Sequence, residues 1–200
     1  MAHTGNHTGG DSPGILITRP RRYELFSSLA LPLVRRRLFA RLAERAGTRP
    51  GDRVLDIGCG TGALTRAVAA TVAPGGGVLG LDPAPQMVEY ARRRAARRGE
   101  NSEFTVGAAQ EVDAADGAFD AVVTSFAVHH VREDARERAF AEMFRVLRPG
   151  GRLLVADFRA HAGHYEEMIA AAGFTDLARG RVRPLAHWIT AVRPGSPTAE

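Results

Sequence analysis

The sequence contains no lysine; all 27 of its basic residues are arginine. That absence excludes Schiff-base chemistry and a lysine general base. Its single cysteine, Cys59, excludes an internal disulfide and supplies no metal-cluster spacing. No apolar run approaches the ~18–20 residues that a membrane-spanning helix needs. Met1–Gly14 is polar and glycine-rich, without the basic and apolar regions of a secretory leader. A cytoplasmic location is therefore the default expectation. What remains is ordinary globular composition, 44% hydrophobic over 200 residues, the size of one domain with a sizeable core.

The formal net charge of +5 is carried by two arginine runs. Arg92, Arg93, Arg94, Arg97 and Arg98 fall on a helix whose apolar positions are Met87, Val88, Ala91 and Ala95. Arg35-Arg36-Arg37 interrupts another, with Leu33, Val34, Leu38 and Leu42 on its apolar side. Both read as solvated helix faces rather than as phosphate patches.

The most specific signal is Val54-Leu55-Asp56-Ile57-Gly58-Cys59-Gly60-Thr61-Gly62. It reads as a short buried strand running into a glycine-rich turn, and a helix follows from Ala63 with Leu64, Ala67 and Val68 on one face. A second apolar strand, Val78–Leu81, ends at Asp82, twenty residues beyond Gly62. A carboxylate at that spacing is placed to accept hydrogen bonds from the hydroxyls of a ribose. Asp56, inside the first strand, is suited to a positively charged amine, and the third glycine comes at Gly62 rather than at position 63. Both details point away from a nicotinamide dinucleotide.

These residues resemble the class I S-adenosylmethionine-dependent methyltransferases, particularly the small-molecule group similar to the quinone-biosynthesis enzymes. The resemblance continues through Phe119–Val131, similar to that family's fourth strand and loop, and through Phe144–Val155, similar to its helix, turn and fifth strand. It implies an α/β, Rossmann-like, doubly wound seven-stranded sheet, mostly parallel with an antiparallel C-terminal hairpin strand, in the order 3-2-1-4-5-7-6. The domain would run over 18–193, with a helical lid at 18–47 and flexible tails at 1–17 and 194–200. Strands are expected near Arg53–Ile57, Val78–Leu81, Glu103–Val106, Ala121–Ser125 and Arg152–Asp157, with a terminal hairpin from Phe174–Leu177 and Leu185–Val192. Crossover helices between the first five make them parallel.

Ligands of such sheets bind at the C-terminal strand ends around the switch in strand order. The resemblance therefore assigns S-adenosylmethionine to Asp56, Gly58, Cys59, Gly60, Gly62, Asp82, Pro83, Met87, Ser125 and Phe126. Relatives often carry Gly-Asp-Ala in the third loop, whereas this chain has Gly107-Ala108-Ala109-Gln110, so Gln110 or a backbone group would meet the adenine. Tyr23 and Phe26 would fold over the cofactor, Tyr23 near its carboxylate, or else simply pack two helices together.

Methyl transfer to O, N or C of a small molecule needs the acceptor ~3–3.5 Å from the methyl carbon, in line and shielded from water. His129 and His130 are the candidates for general base, since an imidazole can take a proton from a phenol or enol at neutral pH. The alternative is that they order the loop and pack on the next helix. These histidines, with His161, His164 and Asp157, show no recognised metal spacing, so no metal is expected. Nucleic acid is disfavoured as acceptor, because Ser125-Phe126-Ala127-Val128 lacks the Asn/Asp-Pro-Pro-aromatic run that clamps a flipped base. The short span after the fifth strand leaves little room for a cap, which implies a small accessible pocket or completion by a second subunit in a homodimer. A non-methylating use of the cofactor, in cyclisation or decarboxylation, and a non-catalytic nucleotide-binding module remain alternatives.

Overall fold

A computed structural model describes residues 32–158, 162–182 and 186–195. The expected tail at 1–17, residues 196–200 of the expected tail at 194–200, residues 18–31 of the expected lid with Tyr23 and Phe26, and His161 lie outside the described residues.

Near-continuous apolar runs mark strands buried on both faces, and they produce the inner strands β1 (Arg53–Ile57), β2 (Gly77–Asp82), β4 (Phe119–Ser125) and β5 (Leu147–Phe158), whereas β3 (Ser102–Val106) is an edge strand that buries only Phe104. β6 (Thr175–Val182) and β7 (Ala186–Val192) complete one sheet in the order β3-β2-β1-β4-β5-β7-β6. The first five are parallel, and β7 is antiparallel to both neighbours, as the resemblance implied. Order reverses between β1 and β4, which places the ligand crevice beyond their C-terminal ends.

Helices α1 (Pro32–Arg45), α2 (Ala63–Val72), α3 (Pro85–Ala96), α4 (Arg136–Val146) and α5 (Ala162–Ala171) cover the sheet. Successive strand residues point to opposite faces, so the core divides. Leu55, Val122 and Leu153 pack with Phe140, Met143, Tyr165 and Ile169 on one side. Val54, Val123 and Leu154 pack with Leu42, Leu64 and Val68 on the other.

Two local expectations change. In α1, Leu33 and Val34 are exposed, and the buried side begins at Leu38, where the helix meets α2. β6 runs five residues beyond Leu177 because it is an edge strand: most of its side chains are exposed, so no apolar alternation announces it.

Candidate active site

The crevice is built on the turn after β1. Gly58 and Gly60 take left-handed backbone angles, φ +70 and +53, but for different reasons. A Cβ on Gly58 would lie 2.2 Å from the Ala127 Cβ, so the glycine lets the loop after β4 close onto the turn. A Cβ on Gly60 would meet nothing within 4 Å; its open side faces the crevice. Gly58 and Cys59 donate to the Leu81 carbonyl at 2.7 and 3.0 Å, which joins the turn to β2. Asp82, at the tip of β2, completes the tie. Its Oδ2 accepts from the Gly60 N–H at 2.8 Å and its Oδ1 from the Ala84 N–H at 2.9 Å. Burial pushes this carboxyl above the ordinary range, and the two backbone donors oppose that shift. Each oxygen retains a further lone pair for a ligand hydroxyl.

Gly58, Cys59, Gly60, Asp82, Pro83, Met87, Ala109, Gln110, Ser125 and Phe126 line one open cleft of about 970 Å³ including its mouth. Four segments predicted to converge therefore do. Asp56, Gly62 and Ala108 stand off its wall. Asp56 is wholly buried behind the turn, where Oδ2 accepts from Thr65 Oγ1 at 2.6 Å and burial pushes its carboxyl up to about 7. Its Oδ1 has no hydrogen-bond partner among the described residues. Gly62 precedes α2, with its vacant side toward Phe104, and Ala108 makes a backbone bridge to Glu111.

Arg35 and Phe39 of α1 and Thr124 of β4 also line the cleft, and sequence reasoning missed them. Arg35 was hidden in a run of three arginines, and only the packing of α1 on α2 selects which one turns inward. Three side-chain atoms on the wall, Gln110 Oε1, Thr124 Oγ1 and His130 Nδ1, are buried without a partner among the described residues. Orphaned acceptors of this kind demand a polar ligand or water. With the ungated face of Gly60, they fit a nucleoside-bearing cofactor.

The loop after β4 carries further strain and chemistry. Phe126 adopts φ +52, unusual for a residue with a side chain, and its N–H is held by the Ala156 carbonyl at 2.8 Å. A 3-10 turn over Val128–His130 then separates the two histidines. His130 lines the cleft, whereas His129 turns toward β5 and meets Asp157. Among the described residues, no group of histidine, cysteine, aspartate and glutamate is arranged to hold a metal.

A family described as a methyltransferase domain matches residues 54–151. A demethylmenaquinone methyltransferase from Symbiobacterium thermophilum is 42% identical over 108 residues, covering 53% of this chain and 42% of that protein. The chain spans about half the length, or less, of the first curated relatives it matches. Among solved structures, the [4+2]-cyclase SpnF superposes with a TM-score of 0.73 at 24% identity, over 80% of this chain and 81% of that one. A S-adenosylmethionine-dependent methyltransferase from Aquifex aeolicus gives 0.72 at 21% identity, over 88% and 98%. The likeness to these two structures concerns the fold alone.

Proposed function

We propose that the chain, which matches a methyltransferase domain over residues 54–151, is a class I S-adenosylmethionine-dependent methyltransferase that moves a methyl group to a small-molecule acceptor in the cleft between the glycine turn and the loop after β4. The observation that carries this reading is the Asp82–Gly60 tie, which presents a carboxylate and an unobstructed glycine to the same space. S-adenosylmethionine, when bound, supplies an electrophilic methyl group on a sulfonium. The residues that would hold it are Gly58, Cys59 and Gly60 at the methionine part, with Arg35 supplying a cation for the carboxylate, Asp82 at the ribose, and Met87, Ala109 and Gln110 at the adenine.

The protein's own contribution is placement and exclusion of water. Proximity supplies much of the rate once acceptor and methyl are aligned, and the aromatic loop at Phe126 shields one side. Because curated relatives are named for demethylmenaquinone and ubiquinone/menaquinone biosynthesis, a quinol-like ring is the first acceptor to try. A cytoplasmic setting accompanies this reading; among the described residues no helix is long and apolar enough to cross a membrane. Only three residues separate β5 from α5, so the cap is short, and a homodimer closing the cleft belongs to the same proposal. Sedimentation with and without cofactor tests it.

Titration calorimetry with S-adenosylmethionine, S-adenosylhomocysteine and NADH tests the cofactor, and release of S-adenosylhomocysteine from an acceptor panel tests transfer. Saturable binding of NADH tighter than of S-adenosylmethionine overturns the proposal. Cofactor binding without turnover on any acceptor favours the non-methylating alternative.

A further inference from the structure

Asp157, the penultimate residue of β5, is fully buried and gathers the loop after β4. It accepts hydrogen bonds from the His129 backbone N–H at 3.1 Å and the Phe158 N–H at 2.8 Å. Its Oδ1 also lies 2.7 Å from His129 Nδ1. Where the Asp157 oxygen accepts in this contact, His129 Nδ1 carries the hydrogen. The His129 ring lies 4.0 Å, centroid to centroid, from that of His130 and 5.0 Å from that of Phe158. His130 stands on the cleft wall, and its Nδ1 is buried without a partner among the described residues. Phe126, also on the wall, packs at 5.3 Å on Phe158, which keeps 42% of its surface exposed.

We propose that Asp157 and His129 are positioning residues that hold His130 on the cleft wall as proton acceptor for a flat, acidic acceptor, a phenol or an enol, whose ring lies against Phe126 and Phe158. This rests on the methyl-transfer reading above and deepens it by naming the residues that place the proton acceptor and the rings that meet the substrate. The chain of contacts runs one way: carboxylate to imidazole, imidazole to imidazole, imidazole to cleft. Removing Asp157 releases the first ring, and the second loses the surface that orients it. The acceptor O–H bond breaks, its proton forms an N–H bond on the His130 ring, and the electron pair stays on the acceptor as its nucleophile. The proton then leaves His130 to water at the cleft mouth. No redox partner or further reactant is needed.

The surrounding charges favour a neutral His130. Burial, and then the charge of His129, hold it below its ordinary range, while Asp157 acts in the opposite sense. Behind the pair, α5 contributes Tyr165, whose phenol burial and the charge of Asp157 hold well above its usual range. Arg136 of α4 donates to the His129 carbonyl at 3.4 Å, and its guanidinium lies 6.0 Å from the Tyr165 ring. His187 of β7 faces Asp157 in the strand register. Across the cleft stand Asp82 from β2 and Arg35 from α1. Tyr165, Arg136 and His187 do not line the cleft, Asp82 is held by the Gly60 and Ala84 N–H groups, and Arg35 is a cation, so His130 is the group placed to remove the acceptor proton.

The test is an NMR titration of the histidine ring protons in the full chain, with His130 assigned by its loss in His130→Gln. His130 should titrate below ~6.5, the ordinary imidazole value, and should move upward in His129→Gln. Asp157→Asn should abolish the downfield Nδ1–H signal of His129. With S-adenosylmethionine and 2-naphthol as the acceptor probe, Asp157→Asn should lower kcat at least roughly tenfold and displace the pH profile. Its cofactor Kd should stay constant, and Asp157→Glu should recover part of the rate. Should Asp157→Asn fail to fold, the His129→Gln titration decides alone. A His130 titration identical in native protein and His129→Gln overturns the positioning role. Failure of 2-naphthol to perturb Phe126, Phe158 or His130 resonances overturns the acceptor class. Native protein that binds no S-adenosylmethionine overturns the methyl-transfer reading instead, which separates the two failures.

Discussion

The carboxylate of Asp82 accepts the backbone N–H of Gly60 at 2.8 Å, so the tip of β2 and the turn after β1 move as one body. Two residues 22 apart in the chain are thus joined beside the cleft, next to the Gly58 and Cys59 bonds to the Leu81 carbonyl. Loss of that bond should be felt in binding before it is felt in folding.

Asp82→Ala should weaken S-adenosylmethionine binding by roughly 1.5–3 kcal/mol, the usual scale for losing hydrogen bonds to a charged group. Calorimetry on the folded variant measures it, and exchange at the Gly60 and Ala84 amides should accelerate in parallel. Unchanged affinity would remove the ribose assignment.

The two glycines should separate stability from binding. Gly58→Ala forces a Cβ into Ala127 and should destabilise the protein by roughly 2 kcal/mol or more, from overpacking added to an unfavourable backbone angle. Gly60→Ala meets open space and should cost only about 1 kcal/mol of stability from its positive φ, yet weaken cofactor binding. Urea melts set beside calorimetry would expose an inverted order.

Asp56 should give a pH signature. Its carboxyl is raised from 3.8 to about 7 by burial, so the folded state holds a proton that the unfolded chain releases. The stability this contributes is complete below about 3.8 and is lost as pH rises to about 7. Asp56→Asn lacks the titration, so its stability relative to the native chain should improve across that window by a few kcal/mol, at about 1.4 kcal/mol per pKa unit. Denaturant curves at pH 5 and pH 8 with the same difference between the two proteins would show that Asp56 does not titrate there.

The segment 18–47 is proposed as a lid, and its described part does place Arg35 and Phe39 on the cleft wall. Arg35→Ala should raise the cofactor Kd roughly tenfold, as for a lost charged hydrogen bond. Deleting residues 1–17 should be nearly silent, because that stretch is polar and lacks a core pattern. Deletion through Phe26 should raise the Kd and abolish turnover with the sheet still folded. Hydrogen exchange provides the check: S-adenosylmethionine should protect amides near Tyr23 as well as Gly58–Gly62, and protection confined to the glycine turn would rule out the lid.

Much of the fold was legible because its signals are local. The apolar run Val54–Ile57 with glycines behind it can only be a buried strand entering a tight turn, and Asp82 marks the end of the next strand by spacing alone. Helices after the first, second and fourth strands pointed to parallel crossovers, and the resemblance supplied the strand order, including the antiparallel hairpin, that the sheet shows. β6 was underestimated because an edge strand with exposed side chains has no apolar period to read.

The sequence by itself determined where the backbone turns and which residue types gather at the C-terminal strand ends, since strand, turn and helix preferences act over a few neighbours. Only the tertiary structure decided which arginine of α1 faces the cleft, that Asp56 sits behind the turn rather than on its wall, and which histidine lines the cleft. The His129–Asp157 pair joins residues 28 apart, through the packing of β4 beside β5 and the 3-10 turn that follows. Such a pairing depends on strand register and on the 2.7 Å geometry of two side chains, and neither quantity is written in any local pattern.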